Sequence, residues 1–141
     1  MRVGRKSAAV LSATVVVAAV LVGGGTAGAA TANTVAISSD HGHGTARTTG
    51  YGRLRGLVHG DLTSRRGDRV YISGKIVYDG NTDNVCGRMT GNVTATAGRV
   101  VDGSCDGDGR LVGTPSGMEF RVCKDRAGLD SCGPWSAKSR F

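Results

Sequence analysis

Apolar and polar residues alternate along four stretches after residue 67, and a period of two is the signature of a strand with one buried face. In Val70 to Tyr78, the positions Val70, Ile72, Ile76 and Tyr78 are apolar while Ser73 and Lys75 point the other way. In Arg88 to Ala97, the residues Met89, Val93, Ala95 and Ala97 share one face. Met118, Phe120 and Val122 oppose Glu119 and Arg121, and Trp135, Ala137 and Phe141 oppose Ser136, Lys138 and Arg140. Two shorter candidates, Arg99 to Asp102 and Arg110 to Gly113, lie between these. Asp79-Gly80-Asn81, Asp102-Gly103, Asp106-Gly107-Asp108-Gly109 and Thr114-Pro115-Ser116-Gly117 read as turns, because Gly, Asn and Asp tolerate the positive φ of tight connections. No sustained 3.6 period follows residue 67. The pattern predicts an all-β domain over residues 67–141, its strands antiparallel where those turns join them.

The cysteines sharpen that reading. Cys86, Cys105, Cys123 and Cys132 are separated by 19, 18 and 9 residues, whereas zinc sites bring thiolates in pairs two to four apart. An even number in a short exported chain points to disulfides. Cys123 falls in phase with Glu119 and Arg121, and Cys132 with Ser136 and Lys138, so both lie on the outward face. A bridge between them would close the loop Lys124 to Ser131 and pin the register of the last two strands. Cys86 then pairs with Cys105, the sequential choice among three connectivities and one that closes only short loops.

Export is read from the amino terminus. Arg2, Arg5 and Lys6 precede an apolar run from Ala8 to Val22, and small residues follow, the three-part order of a secretory signal. That run, about 15 residues, is shorter than the roughly 20 a membrane-crossing helix needs. Ala27-Gly28-Ala29 places cleavage before Ala30, with Ala30-Thr31-Ala32 as a second candidate. Residues 1–29 are therefore expected to be a signal peptide, leaving a secreted, extracellular product with no stable membrane anchor. Arg5-Lys6 is not a twin arginine, which favours the general secretory route. Residues 30–66, rich in Gly, Thr and Arg, are expected to be a flexible segment with one possible edge strand near 53–62, carried by Leu54, Leu57, Val58 and Leu62.

The formal charge of +7 divides into +3 in the signal, +3 in residues 33–67 and +1 from Asp68 onward. A basic excess outside the compact part excludes nucleic acid as the expected partner. An extracellular protein or glycan takes its place.

The closing segment, Phe120-Arg121-Val122-Cys123 followed by Gly133-Pro134-Trp135-Ser136-Ala137, resembles the last hairpin of fibronectin type III-like sandwiches over about 20 residues. The resemblance implies a sandwich and, by itself, no function. It departs from that family in its two cysteines and in the short chain upstream. In its leader and its Gly/Ala/Thr/Arg-rich composition the chain is similar to small exported proteins of actinobacteria.

Chemistry is sparse. His41, His43 and His59 precede the predicted domain, Glu119 is its one glutamate, and most aspartates sit in turns. With the thiols oxidised, nothing activates a serine. No enzyme, no catalytic residue, no cofactor and no metal site are expected. Asp79, Asn81 and Asp83 begin a calcium-loop pattern, but Asn84 and Thr90 stand where it requires Gly and Glu. Asp40-His41-Gly42-His43 would bind a transition metal only weakly. Arg66-Gly67-Asp68 matches an adhesion tripeptide, and Asn92-Val93-Thr94 an N-glycosylation acceptor on an outward strand face.

The candidate binding residues are Tyr71, an aromatic out of phase with its strand's core face, and Lys124 and Arg126 in the loop between Cys123 and Cys132. Trp135 is assigned to the core by its phase. The expected function is that of a secreted, non-enzymatic binding or structural protein, with a protease inhibitor acting through the Cys123–Cys132 loop as the alternative.

Overall fold

The computed structural model describes residues 33–52, 55–80, 83–106 and 113–141. The expected signal peptide, Leu54 and the segment 110–112 lie outside them. The described chain contains two antiparallel sheets and no helix, so no helix among these residues is long and apolar enough to cross a membrane. Sheet A holds β1 (Val35–Ser39), β2 (Gly42–Gly52), β3 (Arg55–Ser64) and β6 (Arg99–Asp106), in the order β1-β2-β3-β6. Sheet B holds β4 (Val70–Tyr78), β5 (Asp83–Arg88), β7 (Pro115–Lys124) and β8 (Ser131–Cys132), in the order β5-β4-β7-β8, with β9 (Ser139–Arg140) also on β7.

The core lies between the sheets, and each contributes differently. Sheet B supplies bulk: Val70, Ile72 and Ile76 of β4 and Met118, Phe120 and Val122 of β7 are fully buried. Sheet A offers Ala46, Val58 and Leu62 with glycines between them. At Gly56 a Cβ would stand 2.7 Å from the Met118 thioether, so the absent side chain makes room for a large one across the core.

The sandwich is closed on both sides. On one, Cys86 of β5 is bonded to Cys105 of β6, linking the two sheets covalently. On the other, the Ser139 hydroxyl accepts from the Thr48 backbone N–H at 3.2 Å and donates to the Asn33 carbonyl at 2.8 Å, joining β9 to β2 in a buried polar contact. The second disulfide, Cys123–Cys132, is the expected pairing and joins residues directly opposed in the β7–β8 ladder, but residues 133–138, whose phase placed Cys132, are not a strand, and Cys123 is fully buried rather than outward.

Several expectations need correction. The expected flexible segment 30–66 is replaced by structure: the described residues 35–52 and 55–64 form three strands of sheet A, with β3 central between β2 and β6 rather than at an edge. Consequently His41, His43 and His59 lie within the folded unit. Arg88 to Ala97 is not a strand; after β5 ends at Arg88 the chain runs irregularly, with one bridge between Val93 and Val70, although Met89 and Val93 do enter the core. Asp102-Gly103 lies inside β6, and Pro115-Ser116-Gly117 opens β7, so neither is a turn. Trp135 is not a core residue. It sits half-buried on the outer face of sheet B, with Arg121 4.2 Å from its ring centroid.

A braced loop as candidate binding site

Four connections meet at one end of the sandwich: the β1–β2 tip at Asp40 and His41, the β3–β4 turn, the irregular segment after β5, and the β7–β8 loop. Backbone hydrogen bonds tie them together, from Arg65 N–H to the His41 carbonyl and from Asp125 N–H to the Arg69 carbonyl, both at 2.8 Å. The β3–β4 turn places Arg66 at φ 58° and Gly67 at φ 71°, with Asp68 N–H donating to the Arg65 carbonyl at 3.2 Å. Two successive positive φ values mark a mirror-image turn, here carrying the chain from sheet A to sheet B rather than closing a hairpin. Arginine is an unusual first residue there, because its Cβ crowds the carbonyl.

Asp68 follows that turn and anchors it. Lys124 donates to its Oδ1 at 2.7 Å and the His41 ring contacts its Oδ2 through Nδ1 at 2.9 Å. These bonds, Lys124 first and His41 second, hold the Asp68 carboxyl below its ordinary 3.8. Both oxygens being engaged, the Arg66-Gly67-Asp68 tripeptide does not offer its carboxylate outward. An open cleft of about 510 Å³ lies beside it, lined by Asp40, His41, Arg65, Arg66, Asp68 and Lys124. The nearby Ser39 hydroxyl accepts from the His41 backbone N–H at 3.1 Å rather than from its ring.

The β7–β8 loop is braced at both ends. Its base is the Cys123–Cys132 bond. On the leading side Asp125 receives Asn92 at 2.7 Å, Arg88 at 3.1 Å and Arg69 at 3.2 Å. Asn92 and Arg88, in that order among the causes that lower it, keep the Asp125 carboxyl acidic against some desolvation. On the trailing side Asp130 accepts from the Tyr71 hydroxyl at 2.5 Å and from the Arg126 N–H at 3.1 Å, and these lower it likewise.

Tyr71 is therefore a strut, not an exposed anchor. It is 5 % exposed, lies under the Arg88 guanidinium at 4.1 Å, and stands opposite Cys123 in the β4–β7 ladder. Burial first, and the Asp130 carboxylate second, push its phenol up to about 12. Lys124 is also a strut, through Asp68. Of the three residues singled out in the sequence, only Arg126 projects outward. What carries the surface is Leu129, which is 91 % exposed at the loop's far side, next to Gly128 at φ 110°. Periodicity has no purchase on a leucine inside a loop, so no sequence signal marked it.

Other sequence candidates fall elsewhere. His59 pairs with Asp102 at 2.6 Å across β3 and β6, and His43 is exposed on β2. Asp83 pairs with Lys75 at 2.8 Å, while Asn81 lies outside the described residues. Among the described residues no cluster of three His, Cys, Asp or Glu side chains is arranged to hold a metal. Comparison with protein-family models, with curated proteins and with solved structures finds no match.

Proposed function

We propose that the chain is a secreted, non-enzymatic binding protein that engages an extracellular protein through the loop between Cys123 and Cys132. The observation that carries this reading is Leu129. A leucine left 91 % in water on a loop fixed by a disulfide, two braced aspartates and a buried tyrosine is an apolar knob whose ordering entropy is already met. Asp68 with Lys124, and Asp125 with Arg88 and Arg69, support the same reading, since these charges are spent on one another in holding the loop. Arg126 beside the knob and Arg65 and Arg66 across the cleft would add a positive rim.

Burying a leucine contributes roughly 1.5–3 kcal/mol, or about one to two powers of ten in affinity. The test is affinity capture from the native culture medium with oxidised protein. Leu129→Asp is expected to lose the partner by that factor. Val100→Asp, at an exposed valine on the far edge of sheet A, is expected to retain it. Equal capture by both variants would remove the proposal.

A protease inhibitor is the second reading, favoured by the exposure of Arg126 and Leu129 in a disulfide-closed loop. Against it stands the bend over Ala127–Leu129, where a protease cleft takes extended chain. Assays against trypsin-like and subtilisin-like proteases separate the two.

A further inference from the structure

Two arginines stand unneutralised at the cleft beside Asp68. Arg65 and Arg66 are exposed and both line that cleft of about 510 Å³, and among the described residues neither guanidinium has a hydrogen-bonding or ionic partner. Their backbone is fixed all the same, because Arg65 N–H donates to the His41 carbonyl and the Arg65 carbonyl accepts from Asp68 N–H. Arg66 holds a φ of 58° that asparagine or glycine would adopt at less cost. A residue kept in such a conformation points to a use for its side chain.

The remaining charges of the cleft leave a small positive surplus. Lys124 and Asp68 neutralise each other at 2.7 Å. Asp40, exposed and without a side-chain partner among the described residues, offsets one of the two arginines. One positive charge is left over while the His41 ring is neutral. Because the ionised Asp68 carboxylate only accepts, the His41 Nδ1 carries the proton between them, and Nε2 is left as an acceptor. A smaller cleft of about 250 Å³ shares Asp40 and His41 with the first and adds Ser39, Ser131 and Pro134. The Ser39 hydroxyl accepts from the His41 backbone N–H and still has a proton to donate.

This combination fits a singly charged tetrahedral oxyanion on a carrier rich in hydroxyls. A carboxylate has two oxygens and is filled by one guanidinium fork, whereas a sulfate ester offers three to divide between two forks. A phosphate monoester has the same shape but carries close to two charges, and the second would face Asp40 unmatched. Lys124 spends one of its three N–H donors on Asp68 and keeps two for the same anion.

We infer that the two joined clefts form a binding site for a sulfated saccharide. Arg65, Arg66 and Lys124 take the sulfate ester, while His41 Nε2, Ser39 and Ser131 take the sugar hydroxyls. The site is separate from the Leu129 knob and does not rest on it.

Isotope-labelled, oxidised protein is titrated with glucose 6-sulfate, glucose 6-phosphate, glucuronate and glucose, at neutral pH and matched ionic strength. The Arg65 and Arg66 Nε–H resonances and the His41 ring resonances are followed together. Saturable shifts of all three residues are expected with glucose 6-sulfate, several-fold weaker binding with glucose 6-phosphate and with glucuronate, and none with glucose. Arg66→Asn removes one fork and suits the turn, so it is expected to fold and to bind glucose 6-sulfate about tenfold or more weaker. Leu129→Asp is expected to bind it as the unmutated protein does, which separates loss of this site from loss of a captured protein partner. The inference is overturned by no saturation with glucose 6-sulfate up to about 100 mM, or by glucose 6-phosphate or glucuronate binding as tightly. It is overturned equally by unchanged affinity in Arg66→Asn, or by Leu129→Asp weakening as much.

Discussion

Arg66 shows what a single residue costs this fold. Its φ of 58° puts a branched-off Cβ against the following carbonyl, and the turn type favours Asn-Gly over Arg-Gly. Replacing Arg66 by Asn is expected to stabilise the protein by about 1 kcal/mol, measured as a raised denaturation midpoint at unchanged m-value. A loss of stability would mean that the arginine holds a native contact. Tyr71 makes the complementary case through its titration. Its phenol ionises at about 12, against 10.0 for a free one. The folded state thus binds more protons than the unfolded one between those values, so the stability it contributes is whole below pH 10 and is lost as pH rises toward 12. Asp130→Asn removes the second cause and leaves burial, the first. The tyrosinate absorbance of Tyr71, isolated by difference against Tyr71→Phe, is expected to titrate lower in that variant yet still above 10.0. An unmoved midpoint would show that the carboxylate does not act on the phenol.

At the level of elements, what could be read in advance follows from which sheet an element joined. β4 spans Val70–Tyr78, the limits its alternation gives, because its inward positions are large and apolar. The strands of sheet A were hidden because their inward positions include Gly42, Gly44, Thr48, Gly56 and Gly60, small residues facing the bulk of β4 and β7. Alternation of hydropathy vanishes when one face is glycine and the other threonine or arginine. The same limit applies to the loop: the cysteine pairing located its base, whereas its braces join Asp125 and Asp130 to residues 33 to 59 positions away.

Those braces give the loop an acid dependence. Asp68, Asp125 and Asp130 all lie below the ordinary 3.8 in the folded state. Unfolded or opened chain therefore binds more protons than folded chain in this range, and stability rises with pH. The bracing is complete above pH 3.8 and fades as pH falls through the lowered values. Amide exchange at Arg126, corrected for intrinsic rate, is expected to quicken on acidification in that window before the core amides of β4 do. Simultaneous quickening of both would show that the loop has no separate opening.

For the whole molecule, the two disulfides do different work that sums to one dependence. Cys86–Cys105 ties sheet to sheet, and Cys123–Cys132 closes the loop base, with 19 and 9 residues of separation. Loops of this size contribute about 3 kcal/mol each, together comparable to the lower end of the 5–15 kcal/mol that holds a domain folded. A reduced chain would be marginal, so the fold itself asks for an oxidising compartment. The two disulfides are thus compatible with the proposed export of the chain. Material recovered from the medium is expected to begin at Ala30 and to weigh four hydrogens less than its fully reduced mass. Reduction under native conditions is expected to lower stability by about 6 kcal/mol. Four titratable thiols in the recovered protein would break the link between cross-linking, compartment and the rigid loop, because an unclosed base cannot present Leu129 in one geometry.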